Sequence, residues 1–492
     1  MEFVSDFWEN ETDRTRQYAK IRWVILDQSV FLPIWQTVNI LFRYIRTKNA
    51  VSPGKTATVE RPMSRPILYF RSFQPTMPKL ISFLRFATVV LLLGVVVGVL
   101  GMLLGFVLHG AEYLAFGFSA ESHHGGYLEA IRAATPARHV LALFSCGLIG
   151  GVGWYLLNRY GRPQAPLKEA VNADKPDMPG IETVTNALLQ IVTIGIGSPL
   201  GKEGAPRAVG ALVANRTCDW LRLNHDDTRL LMAACAGGGF AAIYNIPIAG
   251  ALFALEVLLQ GAKLRLIVVA FVISFISAMT ARIGLGNVHQ YTIAIPLDFG
   301  WDMFVWAILT GPLFALGARL FVGITDDARA KAPRRFPVIV FNIINFTILG
   351  AALIFMPELA GNGRIAAQLS FIGEIAPLFA LVLLAGKVAF EWGSLRAGAQ
   401  GGLLTPSFAN GALMATILGT GWLYVFPNDA PGAFAIIGAS TFLGIARKMP
   451  ITAIVLLLEM SQADLKLAAP MTVCMASALL AQYGWTRYRQ RT

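Results

Sequence analysis

Charge is what this chain has little of. Of its 492 residues only 14% are Asp, Glu, Lys or Arg and 55% are hydrophobic, against about 25% charged in ordinary soluble domains. Histidine (6) and cysteine (4) are also sparse. Cys146, Cys218, Cys235 and Cys474 sit in apolar segments without metal-type spacing, so they read as packing residues and supply no disulfide framework. The histidines include the adjacent pair His123 and His124 but no i,i+4 pair of the zinc-helix kind. Ser198 follows Gly197 directly, which rules out a nucleophile elbow. Glu203 follows Lys202 where a phosphate-binding loop needs Ser or Thr. A membrane-embedded enzyme is therefore only a remote alternative, and neither a metal nor a cofactor is expected. The first 30 residues are polar and charged, with no small-residue cleavage site of a secretory leader.

What is present is long apolar chain. Residues 86–111 contain no Asp, Glu, Lys or Arg, and at about 1.5 Å per residue they cross a hydrocarbon core of roughly 30 Å. Further apolar runs lie near 140–157, 266–281, 303–322, 336–356, 375–386 and 467–483, many interrupted by Gly or Pro. The chain is thus an integral, multi-pass membrane protein whose partner is the lipid bilayer. Residues 1–82 carry 12 Lys/Arg against 7 Asp/Glu, and Arg487, Arg489 and Arg491 close the chain. By the positive-inside rule both termini are cytoplasmic and the number of crossings is even. That topology, and not nucleic-acid binding, accounts for the net charge of +12. The segmentation is a basic N-terminal region 1–80, a transmembrane domain 81–486 and a short basic tail 487–492, with too few residues after 483 for a regulatory domain. Residues 31–46 (FLPIWQTVNILFRYIR) lie along the membrane surface as a basic amphipathic helix or pack against the bundle. The steps Gly94-x3-Gly98 and Gly101-x3-Gly105 mark close helix packing.

An internal repeat organises the rest. Residues 247–256 read PIAGALFALE and 450–459 read PITAIVLLLE, each an apolar helix from Pro to Glu. Upstream of each lies a Gly-rich break closed by proline, GKEGAP at 201–206 and GGLLTP at 401–406. The intervals match: Pro206 to Pro247 is 41 residues and Pro406 to Pro450 is 44. Two landmarks repeated about 200 residues apart argue for duplicated halves, about 81–283 and 301–486. Paired Gly/Pro-interrupted apolar segments point to a transporter's binding site.

The breaks themselves suggest an anion. Backbone without helical hydrogen bonds survives at membrane depth only inside protein or along a polar cavity. GIGSPLGKEGAP (195–206) and GAQGGLLTP (398–406) each feed an apolar segment. A helix starting there aims free N–H groups and the positive end of its dipole at the break. An anion then binds well enough to enter and weakly enough to leave. Glu203, in the first break, is a carboxylate at membrane depth and hence a functional candidate. At a helix N-terminus it can fill the anion site and move aside when protonated. The other reading is a cap that satisfies N–H groups. Lys202 reads as a snorkelling or vestibule charge.

In their order, GKEGAP, AGGGFAAIYNIPIAGALFALE, GGLLTP and PITAIVLLLEM resemble the CLC family of chloride channels and chloride/proton exchangers over roughly 80–483. An unrelated secondary transporter would account for the repeat but not for these ordered motifs. The resemblance implies an all-α membrane bundle of many tilted, broken helices in two inverted repeats, assembled as a homodimer with one anion pathway per chain. It implies that Glu203, followed by Gly204, is the gating glutamate of a G-(K/R)-E-G-P motif. Leu403 and Leu404 match the G-x-F-x-P positions whose backbone N–H groups bind the anion.

Several positions depart from the family pattern. KPDMP (175–179) aligns with G-S-G-I-P, so Pro176 replaces the serine ligand. Proline there resembles nitrate-preferring plant members, so nitrate stands beside chloride as the transported anion. Asp177 either faces the pathway and lowers anion occupancy or is a surface residue or cap. In GKEGAP, Ala205 takes the motif's proline position. The family's central tyrosine aligns near Gln490, with Tyr488 and Tyr483 the nearby candidates. The second glutamate of proton-coupled members falls on Val257. Glu256 is adjacent but turned by about 100° on a helix. The resemblance therefore implies weakened or absent proton coupling, with chloride (or nitrate)/proton antiport as the alternative.

Overall fold

The computed structural model describes residues 77–118, 126–174, 177–287, 290–293, 300–427 and 430–489. The amphipathic stretch 31–46, the His123–His124 pair, Pro176 and Gln490 lie outside the described residues. Seventeen α-helices make up the described architecture. The first half runs through α1 (Met77–Phe116), α2 (Gly126–Ala133), α3 (Pro136–Tyr160), α4 (Leu167–Asn172), α5 (Gly180–Gly195), α6 (Gly204–Leu221), α7 (His225–Tyr244), α8 (Pro247–Phe253) and α9 (Leu264–Leu285). The second runs through α10 (Asp302–Ala330), α11 (Pro337–Ala352), α12 (Arg364–Ile372), α13 (Pro377–Arg396), α14 (Leu404–Leu423), α15 (Pro431–Arg447), α16 (Pro450–Ser461) and α17 (Ala468–Arg489). Helix α17 continues into the stretch read above as a separate basic tail, because nothing interrupts its backbone before Arg489.

Six of the described helices are long and apolar enough to cross a membrane, and four shorter apolar helices accompany them. Helix α1 shows why the sequence dictates this. Val90, Leu93, Val97, Leu104 and Leu108 recur at helical spacing and face inward. Leu91, Leu92, Val95, Val96, Leu103 and Phe106 on the other face are exposed and equally apolar, as a helix surrounded by lipid requires. Its glycine stripe lets α9 approach closely: a Cβ at Gly98 would stand 2.6 Å from Thr280 Cβ and 2.7 Å from Ser277 O. The Ser277 hydroxyl donates across that contact to Gly94 O at 2.9 Å. All four cysteines are buried free thiols.

The halves repeat in backbone detail. Helix α9 packs on α1 and α7, and α17 packs on α10 and α15. Prolines open α8 and α16 at a position whose N–H has no intrahelical partner. Two residues before each proline stands a non-glycine residue in the left-handed region, Asn245 (φ 60°) and Lys448 (φ 57°). The same conformation recurs at the far ends of these segments, at Gln260 (φ 52°) and Gln462 (φ 50°). Side chains seldom adopt it, so its recurrence at matched positions reflects one local fold used twice.

The halves also exchange carboxylates. Glu459, ending α16's apolar run, accepts from Ile248 N at 3.0 Å and Ala249 N at 2.8 Å on α8. Glu256, after α8, accepts from Ile451 N at 3.1 Å and Thr452 N at 2.7 Å on α16, and from the Thr452 hydroxyl at 2.5 Å. Each supplies the negative charge that a helix N-terminus favours. Glu256 lies in a π-helical segment, Ala254–Leu259, that continues α8. The wider turn aims its carboxylate at α16.

Candidate functional site

The two Gly-rich breaks of the sequence meet. Leaving α5, the chain turns at Gly197 (φ 120°) and reaches α6 through Ser198–Glu203. Leaving α13, it turns at Gly398 (φ 95°) and reaches α14 through Ala399–Leu403. Ser198 N donates to Thr193 O and Ala399 N donates to Ser394 O, both at 3.0 Å. Gly201 N then donates to Gly402 O at 2.7 Å, and Gly402 N to Gly201 O at 2.8 Å. That reciprocal pair satisfies backbone groups that neither helix can, as a water-poor interior demands.

Glu203 stands at the junction with no exposed surface. Its Oε1 accepts the N–H of Leu404, the first residue of α14, at 2.6 Å. Its Oε2 accepts the hydroxyl of Tyr244 at 3.4 Å, and that hydroxyl is also 2.8 Å from Thr405 Oγ1. The carboxylate of one half thus sits on the helix N-terminus of the other, held by an N–H, a phenol and a helix dipole. Among the described residues it has no ion pair. Lys202, next in sequence, places its ammonium over the Tyr244 ring, 4.8 Å from the centroid. A buried carboxylate without a direct ion pair is costly, and its hydrogen bonds are of a kind that a free anion can equally accept.

Arginines hold the carbonyl side of the same loops. Arg207 Nε donates to Glu203 O at 2.8 Å and its guanidinium lies over Phe253 at 5.0 Å. Arg329 Nη2 donates to Gly401 O at 3.0 Å. Arg447 Nε donates to Ser407 Oγ at 3.4 Å, and Ser407 donates in turn to Leu403 O. With the carbonyls tied to cations, the N–H ends remain for an anion.

The structure brings Glu203, Gly204, Leu403 and Leu404 together: Gly204 is the first residue of α6 and Leu403 directly precedes α14. It does not bring Tyr483 or Tyr488 there. Both lie on the last turns of α17, 47% and 71% exposed. The phenol at the site comes instead from Tyr244, because α7 ends beside the first break. Only its place two residues before the Ile246-Pro247 step hinted at this in the sequence. Asp177 is exposed, 3.8 Å from Arg216, which is the surface reading. Glu256 has both oxygens engaged on α16, and Val257 is a half-buried residue against the core. Among the described residues no three His, Cys, Asp or Glu side chains converge as metal ligands would.

Comparison with known proteins places the chain in context. The family model described as voltage gated chloride channel matches residues 146–482. The H(+)/Cl(-) exchange transporter ClcA of Vibrio parahaemolyticus is 27% identical over 413 residues, 79% of this chain and 86% of that protein. The putative chloride channel protein ClcB-like of Ralstonia nicotianae is 28% identical over 356 residues, 68% of this chain and 80% of that protein. Among solved structures, a slow cyanobacterial Cl-/H+ antiporter superposes with a TM-score of 0.71 at 17% identity, covering 84% of this chain and 95% of that one. A CLC-type fluoride/proton antiporter superposes at 0.65 and 20% identity, covering 82% and 96%.

Proposed function

The chain belongs to the voltage gated chloride channel family, and on that footing we propose that it carries small anions, chloride first, across a cell membrane past a gate made by Glu203. The observation that carries this reading is the 2.6 Å contact between the Glu203 carboxylate and Leu404 N–H. A tethered carboxylate competes with free chloride at an effective concentration on the order of millimolar or higher. Protonation removes its charge and with it the charge-assisted bond. The carboxyl then leaves, and chloride takes the N–H at the N-terminus of α14. Acid therefore opens the pathway and alkali closes it.

Proton coupling is the finer question. The engagement of Glu256 and the apolar Val257 leave no second carboxylate free at that point of the first half, which supports a channel or weakly coupled carrier. Exchange of chloride (or nitrate) for protons is the second reading, favoured by the exchangers among its relatives. In either case the protein is a homodimer in the inner or plasma membrane, one pathway per chain, both termini cytoplasmic.

Reconstitution in liposomes with paired chloride and proton recordings tests this. Wild-type efflux rises as pH falls, whereas Glu203→Gln gives efflux independent of pH and moves no protons. A Glu203→Gln protein with wild-type pH dependence would remove Glu203 from the gate. Fixed-ratio proton movement in the wild type selects the exchanger.

A further inference from the structure

Helix α13 carries two ionisable residues on its buried face. It is one of the helices long and apolar enough to cross a membrane, and on it neither Lys387 nor Glu391 has any exposed surface. An ionisable side chain at that depth is a functional candidate by default. Neither residue takes part in the gate.

A spacing of four places both on one helix face, yet among the described residues they form no ion pair. The Lys387 ammonium donates instead to the carbonyl of Leu359 at 3.3 Å and that of Gly361 at 2.5 Å. Arg447, from α15, is the other cation in the field of Glu391. Its Nε donates to Ser407 Oγ at 3.4 Å, and its Nη2 is buried without a hydrogen-bond partner. Among the described residues it makes no ion pair with Glu391 either.

The partner of the carboxyl is an amide. Asn410 on α14, also without exposed surface, donates its Nδ2 to Glu391 Oε2 at 2.8 Å. Left over are Glu391 Oε1 and Asn410 Oδ1, both buried and both without a partner. Two acceptors are thus stranded on two side chains that already touch. An ionised Glu391 would be a buried charge with one hydrogen bond, beside an unsatisfied amide oxygen, and each is costly. A proton on the carboxyl removes both costs at once. It turns Oε1 into a donor, and Asn410 Oδ1 is a free acceptor on the side chain already bound. The acid O–H and the amide N–H then close one ring, each group donating once and accepting once. Reversing the amide does not remove the need, because a carboxylate offers no donor in either orientation.

We propose that Glu391 and Asn410 form a proton-binding site, in which a resident proton joins the carboxyl to the amide and keeps negative charge away from α14. Asn410 lies six residues beyond Leu404 on that helix, about 9 Å along its axis. A charge there would repel an anion at the α14 N-terminus. The effect on flux rests on the anion-transport reading above; the proton site itself does not.

Infrared difference spectra of the purified full chain test the site. At neutral pH, wild type minus Glu391→Gln shows the C=O stretch of a protonated carboxyl. Asn410→Leu keeps that band and moves it to higher frequency, as a carbonyl that loses its donor does. Carboxylate bands lost in Glu391→Gln in place of a protonated one overturn the site, and so does a band that Asn410→Leu leaves unmoved. Flux gives a second reading. Asn410→Asp puts two carboxyls around one proton and leaves a net negative charge. It raises the half-saturating chloride concentration in liposomes roughly three- to tenfold. Adding Glu391→Gln rebuilds the acid–amide ring in reverse and returns half-saturation to the wild-type value. Wild-type half-saturation in Asn410→Asp, or a double variant as impaired as Asn410→Asp, overturns the proposed role of the shared proton. A wild type with the carboxyl band but no anion flux overturns the transport reading and leaves the proton site standing.

Discussion

Gly402 shows how closely the proposed gate is built. A Cβ added there would stand 1.9 Å from Glu203 Oε1, inside any permissible contact, because the carboxylate rests against the backbone of the opposite break. The same residue bonds Gly201 through its own N–H and carbonyl, so the backbone has little room to yield. The side chain of Glu203 is what must move. Gly402→Ala is therefore expected to displace the carboxylate from Leu404 N–H and raise chloride efflux at neutral pH toward that of Glu203→Gln. Efflux from liposomes measures this, with size-exclusion behaviour confirming a folded protein. Wild-type efflux with intact pH dependence would show that the carboxylate tolerates the methyl group.

Between elements, the exchanged caps carry the argument. Glu256 and Glu459 each satisfy two N–H groups at the start of the other half's proline-opened helix. A glutamine in either place keeps one acceptor and loses the charge, at about 1–2 kcal/mol. Glu256→Gln and Glu459→Gln should each lower the melting temperature in detergent, and together by close to the sum, since the carboxylates cap different helices. Glu256→Gln should leave the proton-to-chloride flux ratio where the wild type has it. A lost proton flux with an unchanged melting temperature would make Glu256 a proton carrier and remove it from the caps.

On the scale of the whole molecule, the contacts that bind the halves include the Gly201–Gly402 pair, the α8–α16 contact with its two carboxylates and the packing of α3 on α11. None of these depends on the chain that joins α9 to α10. Co-expressed fragments cut between Leu285 and Asp302 are therefore expected to co-purify and restore chloride efflux. The double substitution Glu256→Gln with Glu459→Gln should weaken the co-purification. Fragments that do not associate would mean that the covalent link, and not these contacts, holds the halves in place.

Much of this was legible in the residues. A membrane-spanning chain cannot hide its shortage of charge, and a helix broken at membrane depth must be written locally in glycine and proline. So the class of protein, the duplicated landmarks and Glu203 with its loop were readable from contiguous stretches such as GKEGAP and GGLLTP. Contacts between distant stretches were not. Tyr244 reaches Glu203 across 41 positions, and Arg329 reaches Gly401 across 72. Nothing in the spacing of Tyr483 or Tyr488 said that α17 would leave them exposed. Glu256 and Glu459 were visible as the ends of two matching runs, yet only packing made each the cap of the other's partner helix. By itself, then, the sequence determined that this is an anion-pathway fold of two like halves, since composition and backbone breaks are local properties. The tertiary structure alone decided which groups face one another, because that depends on how separate helices pack.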